Sequence, residues 1–239
     1  MFRESPKGGA PELLMVERSR AMAFAGGALV FPGGRVDPGD HALAATLDGD
    51  RDELAAQIAA ARETLEEAGL AVGLSPMPDA QALEGMRRAL HAGAAFGEAL
   101  AAARTSLDLA ALTPFARWLP AHRMSRIFDT RFYLARLPAG SPVARVDATE
   151  NVRLIWASAA AILAEADAGR ATVIYPTRRN LERLAGFGDI DAAIADAHAH
   201  PVVTITPVVE DRGGVPHLCI PAGLGYPITG EPIASATRG

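Results

Sequence analysis

Three glutamates, Glu63, Glu66 and Glu67, stand at spacings of three and four in the stretch ARETLEEAGL, with Arg62 beside them. Side chains three and four apart are neighbours on a helix, and like charges there cost about 0.2–0.5 kcal/mol per pair. A helix that crowds them is either a solvated charged face or a seat for something cationic. Hard cations such as Mg2+ and Mn2+ take oxygen ligands and commonly keep several waters. Three adjacent carboxylates offer what such ions need. Upstream, FPGGRVDPGD brings Gly33 and Gly34 directly after an apolar run, then Asp37 and Asp40. Glycine lets backbone come close to a ligand or metal. Turn chemistry alone also explains this loop.

These residues need elements to hold them. Residues 12–17 (ELLMVE) and 28–31 (ALVF) read as strands, and the Gly- and Pro-rich 32–40 as a loop. Asp50 reads as an N-cap, with Glu53 three residues on completing a capping-box pattern. Nothing breaks a helix from there to Ala68, and Gly69 fits the left-handed residue past its end. On a wheel of 3.6 residues per turn, Leu54, Ile58, Ala61 and Leu65 form one stripe and the glutamates centre opposite it. The expectation is a helix that packs one face and points its carboxylates out of the other.

The rest of the chain supplies a frame of mixed type. Residues 71–117 read as a helical insertion with two amphipathic helices, marked by Leu83, Met86 and Leu90, and by Phe96, Leu100 and Ala103. Strands are expected at 127–137, 152–157, 202–210 and 216–221. Ser158, Thr177 and Asp189 read as helix starts. The composite is a mixed α/β or α+β fold in one domain over residues 1–239, with the insertion at about 72–117 and a C-terminal elaboration from about 170.

Composition narrows the function. A net charge of −5 without a basic run argues against a nucleic-acid partner. The single cysteine, Cys219, excludes an intrachain disulfide and a cysteine-based zinc site, and reads as a small buried hydrophobe. No apolar run approaches the ~20 residues of a membrane span, and no secretory h-region is evident, so cytoplasm is the expected location. His198 and His200 read as a solvated helix end. There is no G-x-S-x-G elbow and no GK[ST] phosphate loop, which disfavours acyl hydrolases and P-loop NTPases.

Loop and helix together resemble the box of the Nudix hydrolases, G-x5-E-x7-R-E-U-x-E-E-x-G-U, where U is bulky and apolar. Gly34 matches its opening, and Arg62, Glu63, Glu66, Glu67, Gly69 and Leu70 match its second half. Asp40 stands where the box has glutamate, and Thr64 takes an apolar position. Twenty-one residues (41–61) separate Asp40 from Arg62 where the box has seven, so fourteen are extra. The segment 14–34 is similar to the one before the box in coenzyme A diphosphatases, through Leu14, Arg18, Ser19, Gly27 and Phe31 to Gly34, with Ala23 replacing a second arginine. Trp118 in RWLPAH, and FDTRFYLA, resemble the subgroup with an interrupted box.

The resemblance implies a Nudix-type α/β/α sandwich with a mixed sheet, and metal-dependent hydrolysis of a small nucleoside diphosphate derivative. It implies Mg2+ or Mn2+ held by Glu63, Glu66 and Glu67, with the carbonyl of Gly33 or Gly34 as a further oxygen. Arg62 would orient a glutamate, and Glu150, before the strand NVRLIW, would be the general base or an extra ligand. Arg18, Phe31, Gly33, Gly34, Arg126 and Arg131 are the substrate-side candidates, the arginines because they form bidentate pairs with phosphates. Coenzyme A or an acyl-coenzyme A is the expected substrate. The rivals are ADP-ribose, a dinucleotide or a nucleotide sugar, and a nucleotide-binding regulator that no longer catalyses. A homodimer is compatible with the sequence.

Overall fold

The computed structural model describes residues 1–22, 25–120, 129–147 and 150–236. Its elements in chain order are β1 (Phe2–Arg3), β2 (Glu12–Arg18), β3 (Leu29–Val30), α1 (Pro38–Ala44), α2 (Arg51–Ala68), β4 (Leu74–Ser75), α3 (Ala80–His91) and α4 (Phe96–Ala103). Then follow β5 (Ser106–Leu107), β6 (Thr113–Trp118), β7 (Thr130–Leu134), β8 (Asn151–Ser158), α5 (Ala159–Asp167), α6 (Tyr175–Leu184) and α7 (Ile190–Ala199). The chain ends with β9 (Thr204–Ile205), β10 (Val208–Arg212), β11 (Val215–Cys219), β12 (Gly230–Pro232) and α8 (Ile233–Ala236).

The central strand is β2. It pairs antiparallel with β8 along its whole length, and with β1 and β3 on its other edge. Its side chains alternate between two cores, as the period of a strand requires. Leu13 and Met15 join the cluster under α5, α6 and α7, while Leu14 packs with Ala68 and Leu70 at the end of α2. Helices thus cover both faces of the sheet, which is the expected α/β/α sandwich. A second, mixed sheet runs β7-β6-β9, antiparallel between β6 and β7 and parallel between β6 and β9. Among the described residues no helix is long and apolar enough to cross a membrane.

Several local expectations need correction. Residues 32–40 are not all loop, because Pro38 opens α1, where its fixed φ suits a first helical turn. Asp50 does cap α2, accepting from the N–H groups of Asp52 and Glu53, but the Glu53 carboxylate turns to Arg131 at 2.6 Å instead of back to the cap. The two helices of the insertion form as expected, closed by the pair β4–β5, yet TPFARW belongs to sheet strand β6. Thr177 is buried inside the first turn of α6, which Pro176 lets begin at Tyr175. The expected strand at 202–210 divides into β9 and β10 around Pro207, which has no N–H for a ladder. Asp189, Ser158 and the left-handed Gly69 behave as read, and Cys219 is buried.

Candidate functional site

The helix α2 presents Glu63, Glu66 and Glu67, but not to open water. Its apolar stripe of Ile58, Ala61 and Leu65 packs on α3 and α4, and the face opposite is covered as well. There the loop after β3 and the start of β8 close over the carboxylates. Glu67 is only 6% exposed. Its Oε2 accepts from the Gly33 N–H at 2.8 Å, and its Oε1 from Asn151 Nδ2 at 2.9 Å. Gly34 lies against Glu63 so closely that a Cβ there would sit 2.2 Å from Oε1. The double glycine is therefore where backbone and carboxylates meet.

Arg62 ties the cluster together. Its Nε and Nη2 hold the two oxygens of Asp40 at 3.0 and 2.9 Å, and Nη2 also donates to the Arg35 carbonyl. Its Nη1 donates to Glu63 Oε1 at 3.0 Å and lies 3.4 Å from both oxygens of Glu66. Asp40 is 1% exposed, so this pair is buried. Such a pair holds geometry even where it adds little net stability. Burial pulls the Arg62 guanidinium down, but Asp40, Glu63 and Glu66 outweigh it and raise its pKa overall. Thr64, at a position expected to be apolar, satisfies its hydroxyl on the Ala60 carbonyl one turn back.

Burial pushes the Glu63 carboxyl up to about 7, against the opposing pull of Arg62 and with help from Glu66 and Glu67. Glu67 is likewise pushed up to about 7 by burial, although Asn151, Gly33 and the charge of Arg18 oppose the shift. Two carboxylates that burial makes reluctant to ionise form a donor set that a divalent cation would stabilise. The chemistry of the set fits a hard cation. As the side chains stand, no three acidic, histidine or cysteine groups among the described residues are arranged to hold one. A cation would have to displace Arg62 from Glu63 and Glu66, whereas Gly33 and Asn151 each take one lone pair on a Glu67 oxygen and leave the other for a ligand bond.

The remaining candidates divide. Arg18 ends β2 beside Glu67, and its Nε is buried without a partner among the described residues. Phe31 packs edge-on against Phe132, ring centroids 6.0 Å apart. Glu150 is exposed, and its backbone is fixed by Ser19 and Asp147. The neighbouring Asn151, not Glu150, is the group that reaches Glu67. Arg131 is not brought to the cluster. It pairs with Glu53, ten residues before Glu63, which is about 15 Å along the helix. Arg126 and Ala23 lie outside the described residues.

Asp40, Asn151 and Arg87 are the groups that reading the sequence underrated or missed. Arg87, from α3, donates to the carbonyls of Glu66 at 2.9 Å and Arg145 at 2.9 Å, and reaches that of Glu67 at 3.4 Å. It caps the open end of α2, where a cation is favoured. Its only trace in the sequence is an arginine on an otherwise apolar face of α3. Asn151 leaves none beyond adjacency to Glu150.

No protein-family model matches the chain, and no curated protein matches it. A solved structure does: the crystal structure of a Nudix hydrolase from Alicyclobacillus acidocaldarius, with a TM-score of 0.70 at 25% sequence identity. The match covers 81% of this chain and 91% of that one.

Proposed function

We propose that this chain, an enzyme of the Nudix hydrolase type acting on phosphoric anhydride bonds, cleaves the diphosphate of coenzyme A or an acyl-coenzyme A. The products would be a phosphopantetheine compound and adenosine 3′,5′-bisphosphate. The observation that carries the chemistry is the meeting of Glu63 and Glu67 with the Gly33–Gly34 bend. The choice of coenzyme A rests on the likeness of residues 14–34, including Arg18, which lies beside that meeting point.

A bound Mg2+ or Mn2+ supplies neutralisation of the diphosphate oxygens and a lowered pKa for its bound water. Glu63, Glu66 and Glu67 are its proposed ligands, with the carbonyl of Gly33 or Gly34 as a further oxygen. The protein's part is positioning plus electrostatics, which dominate phosphoryl transfer. Arg62 restrains Glu63 and Glu66, and Asp40 restrains Arg62. The Gly33 N–H fixes Glu67. Arg18 would offer its Nε, which has no partner among the described residues, to a phosphate oxygen, and Phe31 would line the substrate side. Glu150, exposed next to Asn151, is the proposed base or added ligand.

The test is a panel of coenzyme A, acetyl-coenzyme A, ADP-ribose, a dinucleotide and a nucleotide sugar with Mg2+ or Mn2+, products separated by chromatography. Adenosine 3′,5′-bisphosphate from the coenzyme A compounds is expected. Turnover of ADP-ribose without coenzyme A would keep the chemistry and overturn the substrate. Tight binding without turnover of any compound would make the chain a nucleotide-binding regulator.

A further inference from the structure

We infer that Asn151 is a positioning residue that sets the Glu67 carboxylate for cation binding, an inference that rests on the function proposed above. Residues two apart in a regular strand share a face. Asn151 and Arg153 do not: Arg153 is exposed and pairs with Glu17 at 2.8 Å, whereas Asn151 is 0% exposed. The cause is a bulge in the β2–β8 ladder. Glu17 stands opposite Arg153 and Arg18 opposite Asn151, leaving Val152 as the extra, exposed residue. A bulge beside a functional site re-aims a side chain. Here it swings Asn151 inward onto Glu67.

The result is a carboxylate clamped at both oxygens from two distant segments. Asn151 Nδ2 takes Oε1 and the Gly33 N–H takes Oε2. Together they fix the plane of the carboxylate. Asn151 is not there for stability alone. Its Oδ1 is buried without a partner among the described residues, and an unsatisfied buried acceptor is destabilising. An apolar side chain in a buried strand position would avoid that cost. What the amide adds is one donor aimed at Glu67. Groups that orient a metal-binding carboxylate are worth about 10–100-fold in metal affinity or activity.

The experiment uses Asn151→Ala and Asn151→Leu, the second keeping bulk in the strand should truncation unfold it. Asn180→Ala is the control, another amide that is 0% exposed but bonds to Trp118 and Tyr226 instead. Mn2+ affinity is measured without substrate by electron paramagnetic resonance, and kcat and KM on the diphosphate that the wild type hydrolyses. Expected are an Mn2+ Kd raised about 10–100-fold, and a lower kcat with KM nearly unchanged, in the Asn151 variants only. Mn2+ affinity at the wild-type level in the folded Asn151 variants would overturn the inference. So would an equal loss in Asn180→Ala. If the wild type binds Mn2+ but hydrolyses no diphosphate, the proposed function fails while the Mn2+ comparison still decides the role of Asn151.

Discussion

Gly34→Ala adds one methyl group at the point where backbone and carboxylate meet. Its Cβ would stand 2.2 and 2.5 Å from the two oxygens of Glu63 and 2.3 Å from the carboxyl carbon. Ordinary contacts of this kind lie beyond about 3.4 Å, so the carboxylate must retreat by roughly 1 Å. It is the end of a flexible side chain, and the backbone at Gly34 does not take up a left-handed φ, so the fold has an easy way to yield. Loss of chain freedom in the unfolded state favours alanine by about 0.4–1 kcal/mol. A weakened Glu63–Arg62 contact, now 3.0 Å, takes back a similar amount. The melting temperature should therefore move little. Activity should not be spared, because a misplacement of about 1 Å can cost ~100-fold, close to 2.7 kcal/mol in the barrier. Steady-state turnover with Mg2+ and a thermal melt on the same preparation measure both. Turnover within about threefold of wild type, with an unchanged melt, would refute the placing of Glu63 at the reacting centre. A large drop in melting temperature would show that the glycine serves the fold instead.

Asp40→Asn should destabilise the protein by about 3 kcal/mol in urea titrations, because it strips the buried Arg62 of its bidentate carboxylate. Glu63 and Glu66 both engage Nη1 alone, so they leave the Nε and Nη2 side facing a neutral amide. Arg87→Ala should lower stability by about 1–3 kcal/mol, since it leaves the Glu66 and Arg145 carbonyls without a charged donor. In chelator, stability should fall as pH rises from about 4.5 to above 7. Glu63 and Glu67 keep protons in the folded state up to about 7 that the unfolded chain releases near 4.5. Their contribution is thus full at the acid end and lost as pH climbs through the folded value. Mg2+ or Mn2+ should restore stability at pH 8, and a melt that is flat with pH and indifferent to metal would contradict that linkage. Removal of divalent metal should abolish turnover, and re-addition should recover it.

What the sequence disclosed was local. Asp50, Gly69 and Ser158 act through backbone groups within four residues of themselves, and all three were readable. The box glutamates were readable because helix geometry alone puts them together. The wheel misjudged their surroundings, since it treats a helix as if nothing but solvent lay opposite its apolar stripe. The loop carrying Gly33 and the bulge carrying Asn151 fill that side, and both come from far along the chain. The Asp40–Arg62 pair spans 22 residues and the Arg87–Arg145 contact 58. No period or spacing reports such contacts. The pairing of Arg131 with Glu53 was not readable for a related reason: residue type suggests what an arginine can bind, but not which turn of α2 its strand crosses.

The fourteen extra residues of the box have a structural fate. They complete α1, turn at Asp48–Gly49–Asp50 and lengthen the front of α2, while Asp40 still reaches Arg62 across them. Written as a string with fixed gaps, the motif breaks here. The contacts Asp40 to Arg62, Gly33 to Glu67 and Gly34 against Glu63 nevertheless form across the longer gap. Length can vary at the turn of residues 46–49, between α1 and the Asp50 cap, where segments could be grafted without touching those three contacts.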